Sequence, residues 1–193
     1  MRNNSFRLSA FRKIRGCIAL KAESCNLKAM RVLAIDPGYG RCGVAVVEKK
    51  DGPSTGLRAG KEILLYSACI ETSATMGFPA RLAQVADECT RLMKEYAPDC
   101  VALEKLYFSS NQKTAMHVAE VRGALIQAAS NQGLAVFEYG PGEVKSAIAS
   151  SGTADKKQMA SMLHLLIKID KTIEHDDEYD AIAVGITHLA RAR

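Results

Sequence analysis

Four carboxylates in this chain are placed where they could do chemistry. Asp36 closes the apolar run Val32–Ile35 and is followed at once by Pro37-Gly38. Such a run reads as a buried strand, and Pro-Gly turns the chain after it. A rigid strand therefore holds the acid while leaving it open to a ligand, and Gly38, Gly40 and Gly43 keep side-chain bulk nearby low. Glu104 repeats the pattern at the end of Cys100-Val-Ala-Leu. Asp177 and Asp180 lie three residues apart at the start of a predicted helix, on one face of it. Acids in a first turn also suit the helix dipole, so this pair could serve only to cap and solubilise the helix. Beyond Asp180, however, Ala181–Ile186 is all small or apolar. That stretch must pack closely on a sheet, which carries its acids toward the ends of the strands bearing Asp36 and Glu104. Four carboxylates brought together repel and raise one another's pKa, and a divalent cation relieves the repulsion. Oxygen-only ligands suit magnesium or manganese. Two such ions can activate a water and stabilise the leaving oxygen of a phosphodiester, with Asp36 the candidate to bridge them. The chemistry indicated is hydrolysis of a backbone phosphate by in-line attack of water.

The elements that must position these acids follow from periodicity. Val32–Asp36, Gly43–Glu48 and Glu62–Glu71 read as the first three strands, the first two joined by a short Gly-containing turn. Residues 80–96 form an amphipathic helix, with Leu82, Val85, Ala86, Cys89, Leu92, Met93 and Tyr96 at helical spacing before Pro98. Cys100–Glu104 is a fourth strand, 111–131 a helix with Val118, Val121, Leu125 and Ala128 in one stripe, and Leu134–Tyr139 a fifth strand. Helices at about 142–150, 155–168 and 176–191 complete the chain. Short links force the first three strands into an antiparallel meander. Right-handed crossovers make the fourth and fifth parallel to the first. The expected fold is α/β, a five-stranded mixed sheet with helices on both faces, in which the first and fourth strands lie side by side and bring Asp36 near Glu104.

The 193 residues suit one domain, residues 30–193, behind a basic extension at 1–29. That extension holds seven Lys/Arg against one acid, Glu23, so the formal charge of +5 comes from it and the remainder is almost neutral. Net charge therefore does not argue for DNA; only lysines clustered on one face could. The extension reads as a disordered DNA-contacting tail, an Arg-rich targeting segment or a start codon set too early, since Met30 directly precedes the first strand. No stretch has the roughly 20 uninterrupted apolar residues of a membrane span. Six cysteines are scattered without a C-x-x-C; Cys69, Cys89 and Cys100 read as small core residues, and reduced thiols suit the cytoplasm. His117, His164 and His188 read as surface or packed residues, and Met159, Met162, Leu163, Leu166 and Ile167 as core.

Several motifs, in order and spacing, resemble the RuvC Holliday-junction resolvases: Ile35-Asp36-Pro37-Gly38, Leu103-Glu104-Lys105-Leu106-Tyr107-Phe108, and Asp177-Glu178-Tyr179-Asp180-Ala181-Ile182-Ala183. Val121-Arg122-Gly123, Val136-Phe137-Glu138-Tyr139, Val144-Lys145, Gly152-Thr-Ala-Asp-Lys156 and Ile186-Thr187-His188 extend the resemblance over residues 31 to about 190. It implies a ribonuclease H-like fold, a homodimer, and magnesium-dependent symmetric nicking of four-way DNA junctions, with the RuvA–RuvB branch-migration complex as a partner. The family's catalytic acids, which are also its metal ligands, fall on Asp36, Glu104, Asp177 and Asp180. Its phosphate-contacting lysines fall on Lys145 and Lys156, with Lys157 adjacent to the second. Tyr107 falls where the family usually places Phe; an aromatic there could stack on an unpaired base, worth roughly 1–3 kcal/mol, or pack under a loop with Phe108. The family dimerises through the helix that corresponds to 111–131, although the stripe on that helix could equally be core.

Other classes of protein share parts of this pattern. One is a ribonuclease H-like nuclease acting on RNA or an RNA–DNA hybrid; Asp177-x-x-Asp180 and the Tyr107 region favour the resolvase. An actin-like ATPase also uses an Asp-x-Gly turn, but needs two such domains, for which this chain is too short. A non-catalytic junction-binding relative has no need of all four acids.

Overall fold

The structure, a computed structural model, describes residues 29–50, 62–106 and 112–192. Strands β1 (Met30–Asp36), β2 (Arg41–Lys49), β3 (Glu62–Glu71), β4 (Cys100–Glu104) and β5 (Ala135–Tyr139) form one sheet in the order β3-β2-β1-β4-β5. The four residues between β1 and β2 permit only antiparallel pairing, and β3 continues the meander. Strand β4 enters parallel to β1 after helix α1 (Phe78–Tyr96), and β5 enters parallel to β4 after helix α2 (Gln112–Asn131). The register pairs Ile35 with Leu103, so the next residues, Asp36 and Glu104, leave the sheet at the same edge. Helices α3 (Pro141–Ala149), α4 (Lys156–Leu166) and α5 (Asp176–Arg191) follow. The mixed sheet, its antiparallel meander and the pairing of β1 with β4 are as expected from the sequence.

Alternation along the strands divides the core. Val32, Ala34, Ala45 and Val47 point to the face covered by α3, α4 and α5. Leu33, Ile35, Val44 and Val46 point to the face covered by α1 and α2. Both sets are fully buried, as expected for strands sandwiched between helices. The stripe on α2 belongs to this core: Val121 and Leu125 are buried, with Val118 and Ala128 half-buried, so these residues are not an outward surface. Among the described residues no helix is long and apolar enough to cross a membrane.

Element ends follow local chemistry. Pro79 sits in the first turn of α1, and Ala97 ends that helix in a left-handed conformation just before Pro98. Asp155 caps α4 reciprocally with Gln158. Helix α4 is shorter than the expected 155–168, because Ile167 is already extended and buried. Leu166 is therefore 41% exposed rather than core. Cys89 and Cys100 are buried as expected, whereas Cys69 on β3 is only partly so. The expectations for residues 1–28 and for Tyr107 concern residues outside those described.

Helix α5 lies on the sheet at very short range. A Cβ added to Gly185 would stand 2.6 Å from Val47 Cγ2 and 3.2 Å from the Ala34 Cβ. Ala181, Ile182, Ala183 and Val184 are fully buried around it. Gly185→Ala should cost about 1–3 kcal/mol by overpacking, although the same change in an unconstrained helix gains roughly 1 kcal/mol. Urea denaturation of Gly185→Ala, Val47→Ala and the double variant measures this, and the double variant should be less destabilised than the sum of the singles.

Candidate active site

Asp36 and Glu104 meet across the edge of β1 and β4 and share a hydrogen bond. Two carboxylates can do so only by holding a proton between them. Burial, then the Glu104 charge and hydrogen bond, then Asp180 push the Asp36 carboxyl well above its ordinary range. Glu104 is raised by burial, and the bond from Asp36 and the charge of Lys145 work against that rise. Both members of the pair are thus raised, Asp36 the more strongly. Asp180, one turn into α5, is pushed up to about 6 by burial and by Glu104, with Lys156 opposing. Asp177 is also near Asp180, but its carboxylate turns to Arg41 Nε at 3.3 Å.

Asp36, Glu104 and Asp180 thus crowd one another, while Asp177 is held just aside by an arginine. Among the described residues no three His, Cys, Asp or Glu side chains stand ready as a metal-ligand group. Repulsion between ionised carboxylates, with Arg41 as the alternative partner, accounts for that separation. The donor chemistry still fits a hard divalent cation: every candidate ligand is a carboxylate oxygen, and the protonation that burial and repulsion force on the site is what such a cation would replace.

Positive charge stands beside the acids. Lys145 of α3 and Lys156 and Lys157 of α4 line one cleft together with Glu104, Asp176 and Asp180. Lys156 Nζ donates to Asp176 Oδ2 at 2.8 Å, which raises the lysine and lowers Asp176. Of the residues singled out from the sequence, six of seven fall at this one edge; Tyr107 is the seventh and is not among the described residues.

Residues beyond the candidate ligands and lysines hold this arrangement. Gly43 on β2 is one: an added Cβ would stand 1.8 Å from the Asp177 carbonyl oxygen, so only glycine lets the start of α5 reach the strand. Gly38 is another, with an added Cβ 1.9 Å from the Arg41 carbonyl oxygen across the β1–β2 turn. Arg122 Nη1 donates to the Glu104 carbonyl at 2.8 Å, and its other terminal nitrogen pairs with Glu138 of β5. Arg41 Nη1 lies 3.3 Å from His175 Nδ1, and His175 Nε2 lies 3.0 Å from Glu71 Oε1. The only signals for these in the sequence were the cluster of glycines after Asp36 and the Val121-Arg122-Gly123 motif; Arg41 carried none.

An acid cluster at the edge of a five-stranded mixed sheet of this order defines a ribonuclease H-like domain. The family model for "Crossover junction endodeoxyribonuclease RuvC" matches residues 32–188. The crossover junction endodeoxyribonuclease RuvC of Thermosipho melanesiensis is 38% identical over 156 residues, covering 81% of this chain and 94% of that protein. That of Brevibacillus brevis is 37% identical over 159 residues, covering 82% and 91%. The structure of Thermus thermophilus RuvC superposes with a TM-score of 0.75 at 29% identity, covering 85% of this chain and 96% of that one. A structure of the same protein in complex with a Holliday junction substrate matches equally well, with a TM-score of 0.75. The chain belongs to the RuvC family of crossover junction endodeoxyribonucleases.

The raised acids make stability depend on pH. Asp180 rises from 3.8 to about 6 on folding, so the folded protein binds more protons than the unfolded chain between those values. The stability this group contributes is complete below its unfolded pKa and is lost as pH rises through its folded one. In chelator at pH 7.5, Asp180→Asn should therefore be more stable than the parent by about 1–2 kcal/mol. The difference should shrink toward zero near pH 4. Thermal melts across that range check both the sign and the window.

Proposed function

We propose that this protein resolves Holliday junctions in recombination and repair, nicking two strands of like polarity symmetrically across a four-way DNA junction. Family membership supports the activity. The observation that carries the site assignment is the proton-sharing pair Asp36–Glu104, crowded by Asp180 and flanked by Lys145 and Lys156.

In this reading Asp36, Glu104, Asp177 and Asp180 hold magnesium, two ions per site, with manganese able to substitute. Bound divalent ions supply Lewis-acid charge at the scissile phosphate and lower the pKa of water. The chain's own residues do the rest. Asp36, at the end of β1, would be the central carboxylate of that set, since Glu104 and Asp180 both act on it. Asp177, paired with Arg41 in this structure, would be the fourth carboxylate of the set. Lys145 and Lys156 hold backbone phosphates beside the acids, which fixes the strand in register without reading its bases. Tyr107 stacks on an unpaired base at the junction centre. Hydrolysis then exchanges one P–O bond of the strand for a bond to the oxygen of water.

Two symmetric cuts require two identical sites related by a twofold axis, which a homodimer provides. The outward side of α2, where Met116 is 64% exposed, is the surface this reading assigns to the dimer. A cytoplasmic protein acting after the RuvA–RuvB branch-migration complex completes the proposal.

Cleavage of a mobile four-way junction, beside linear duplex and an RNA–DNA hybrid, tests it. Paired nicks in the junction are expected with magnesium and none with chelator. Asp36→Asn and Glu104→Gln should each lower the rate by about a hundredfold or more, since loss of several kcal/mol of charge stabilisation is worth that much. Cutting of the hybrid with the junction left intact would instead make this a nuclease of different substrate.

A further inference from the structure

The acids have a second cationic cleft on their other side. The N-terminal turn of α5 divides the two: Asp176 and Asp180 line the lysine cleft, whereas Asp177 lines a shallow groove with Tyr39, Gly40, Arg41 and Arg81. The groove is firmly built. Thr72 N donates to the Gly40 carbonyl at 3.0 Å, fixing the β1–β2 turn against the end of β3. Arg81, from the first turns of α1, reaches over that turn. Its Nε donates to Thr72 Oγ1 at 2.8 Å, and its guanidinium carbon lies 4.6 Å from the centre of the Tyr39 ring. A Cβ at Gly40 would stand 3.2 Å from Arg81 Nη2, so glycine there leaves the guanidinium room to approach the turn.

These contacts hold the plane of Arg81 but do not neutralise it. Among the described residues Arg81 has no carboxylate partner; its bonds are to a hydroxyl and a ring face. A half-buried arginine fixed in this way keeps its forked terminal nitrogens for an outside acceptor, and a tetrahedral oxyanion matches that fork. Arg41, in the same groove, is paired among the described residues with Asp177 and His175. Its carboxylate partner is one of the proposed cation ligands, so the guanidinium is the group left over when Asp177 is engaged elsewhere.

We propose that Arg81 and Arg41 form a second phosphate subsite, which holds the DNA backbone on the opposite side of the acids from Lys145 and Lys156. This inference rests on the resolvase reading. A polyanion crossing the site then meets cation, acid cluster and cation in turn. That arrangement lets a nearly neutral domain bind DNA and still places one phosphate over the carboxylates. The contacts are to backbone only, so they contribute to affinity at every sequence alike.

The test is equilibrium binding of a fluorescein-labelled four-way junction in chelator, across a salt series, with parent, Arg81→Gln, Arg81→Lys and Lys156→Gln. Each lost phosphate contact should weaken binding and lower the slope of log K against log salt by about one. The expected result is that Arg81→Gln and Lys156→Gln each lose about one, Arg81→Lys recovers most of it, and all melt as the parent does. A normal slope and affinity in folded Arg81→Gln, with the loss still present in Lys156→Gln, overturns this subsite and leaves the resolvase reading standing. Equal losses in Arg81→Gln and Arg81→Lys, tracking a lowered melting temperature, also overturn it, since the residue then only braces the turn. A parent protein that does not prefer the junction to duplex defeats the resolvase reading itself, and the subsite with it.

Discussion

The approach of α5 to the sheet is the constraint on which the rest depends. With glycine at 185 facing Val47 and Ala34, and glycine at 43 facing the Asp177 carbonyl, the helix axis comes closer to β1 and β2 than ordinary side chains allow. The gain is dispersion contact over a fully buried helix face. The consequence is positional. The first turn of α5 is carried to the strand ends, so Asp180 acts on Glu104 and Asp36. A larger residue at either glycine would clash with the sheet or with the start of the helix that carries the acids. Stability and site geometry are therefore set by the same contacts.

That packing has an electrostatic cost. Burial and mutual repulsion raise Asp36, Glu104 and Asp180 together. Without a cation the fold answers in two ways: a proton is held between Asp36 and Glu104, and Asp177 is given to Arg41. Both are replaceable. A proton can leave as pH rises, and a partly exposed ion pair at 3.3 Å is weakly held. The protein is thus folded with crowded carboxylates at the ends of β1 and β4, and that is where a divalent ion would relieve most repulsion.

The sheet and the acids were legible for a common reason. Asp36 and Glu104 each end an apolar run, and a strand long enough to be buried fixes where its last residue emerges. Asp177 and Asp180 were legible through helical spacing and the small-residue run after them. What the pattern could not convey was partner choice. Arg41 and Asp177 are distant in sequence and meet only because Gly43 lets the helix start approach β2. The end of α4 escapes the sequence pattern for a related reason. Leu166 continues the helical period, but Ile167 gains more by entering the core in extended form than by adding another turn.

The far end of α5 shows how the same helix is anchored where no chemistry is proposed. His188 is fully buried, with Nδ1 2.8 Å from Tyr139 Oη and Nε2 3.2 Å from Cys100 Sγ. Burial pushes this imidazole down to about 4, so it stays neutral where a free histidine would begin to charge. Its protonation in the unfolded chain therefore opposes the acid cluster: as pH falls toward 4, His188 weakens the fold while Asp180 strengthens it. One helix carries both terms, tied at its C-terminal half to β4 and β5 and charged at its N-terminal turn. A rigid, uncharged tether is what permits the charged turn to be held in a crowded place, since repulsion there is then relieved by a ligand, a proton or a side-chain partner such as Arg41 and not by withdrawal of the helix.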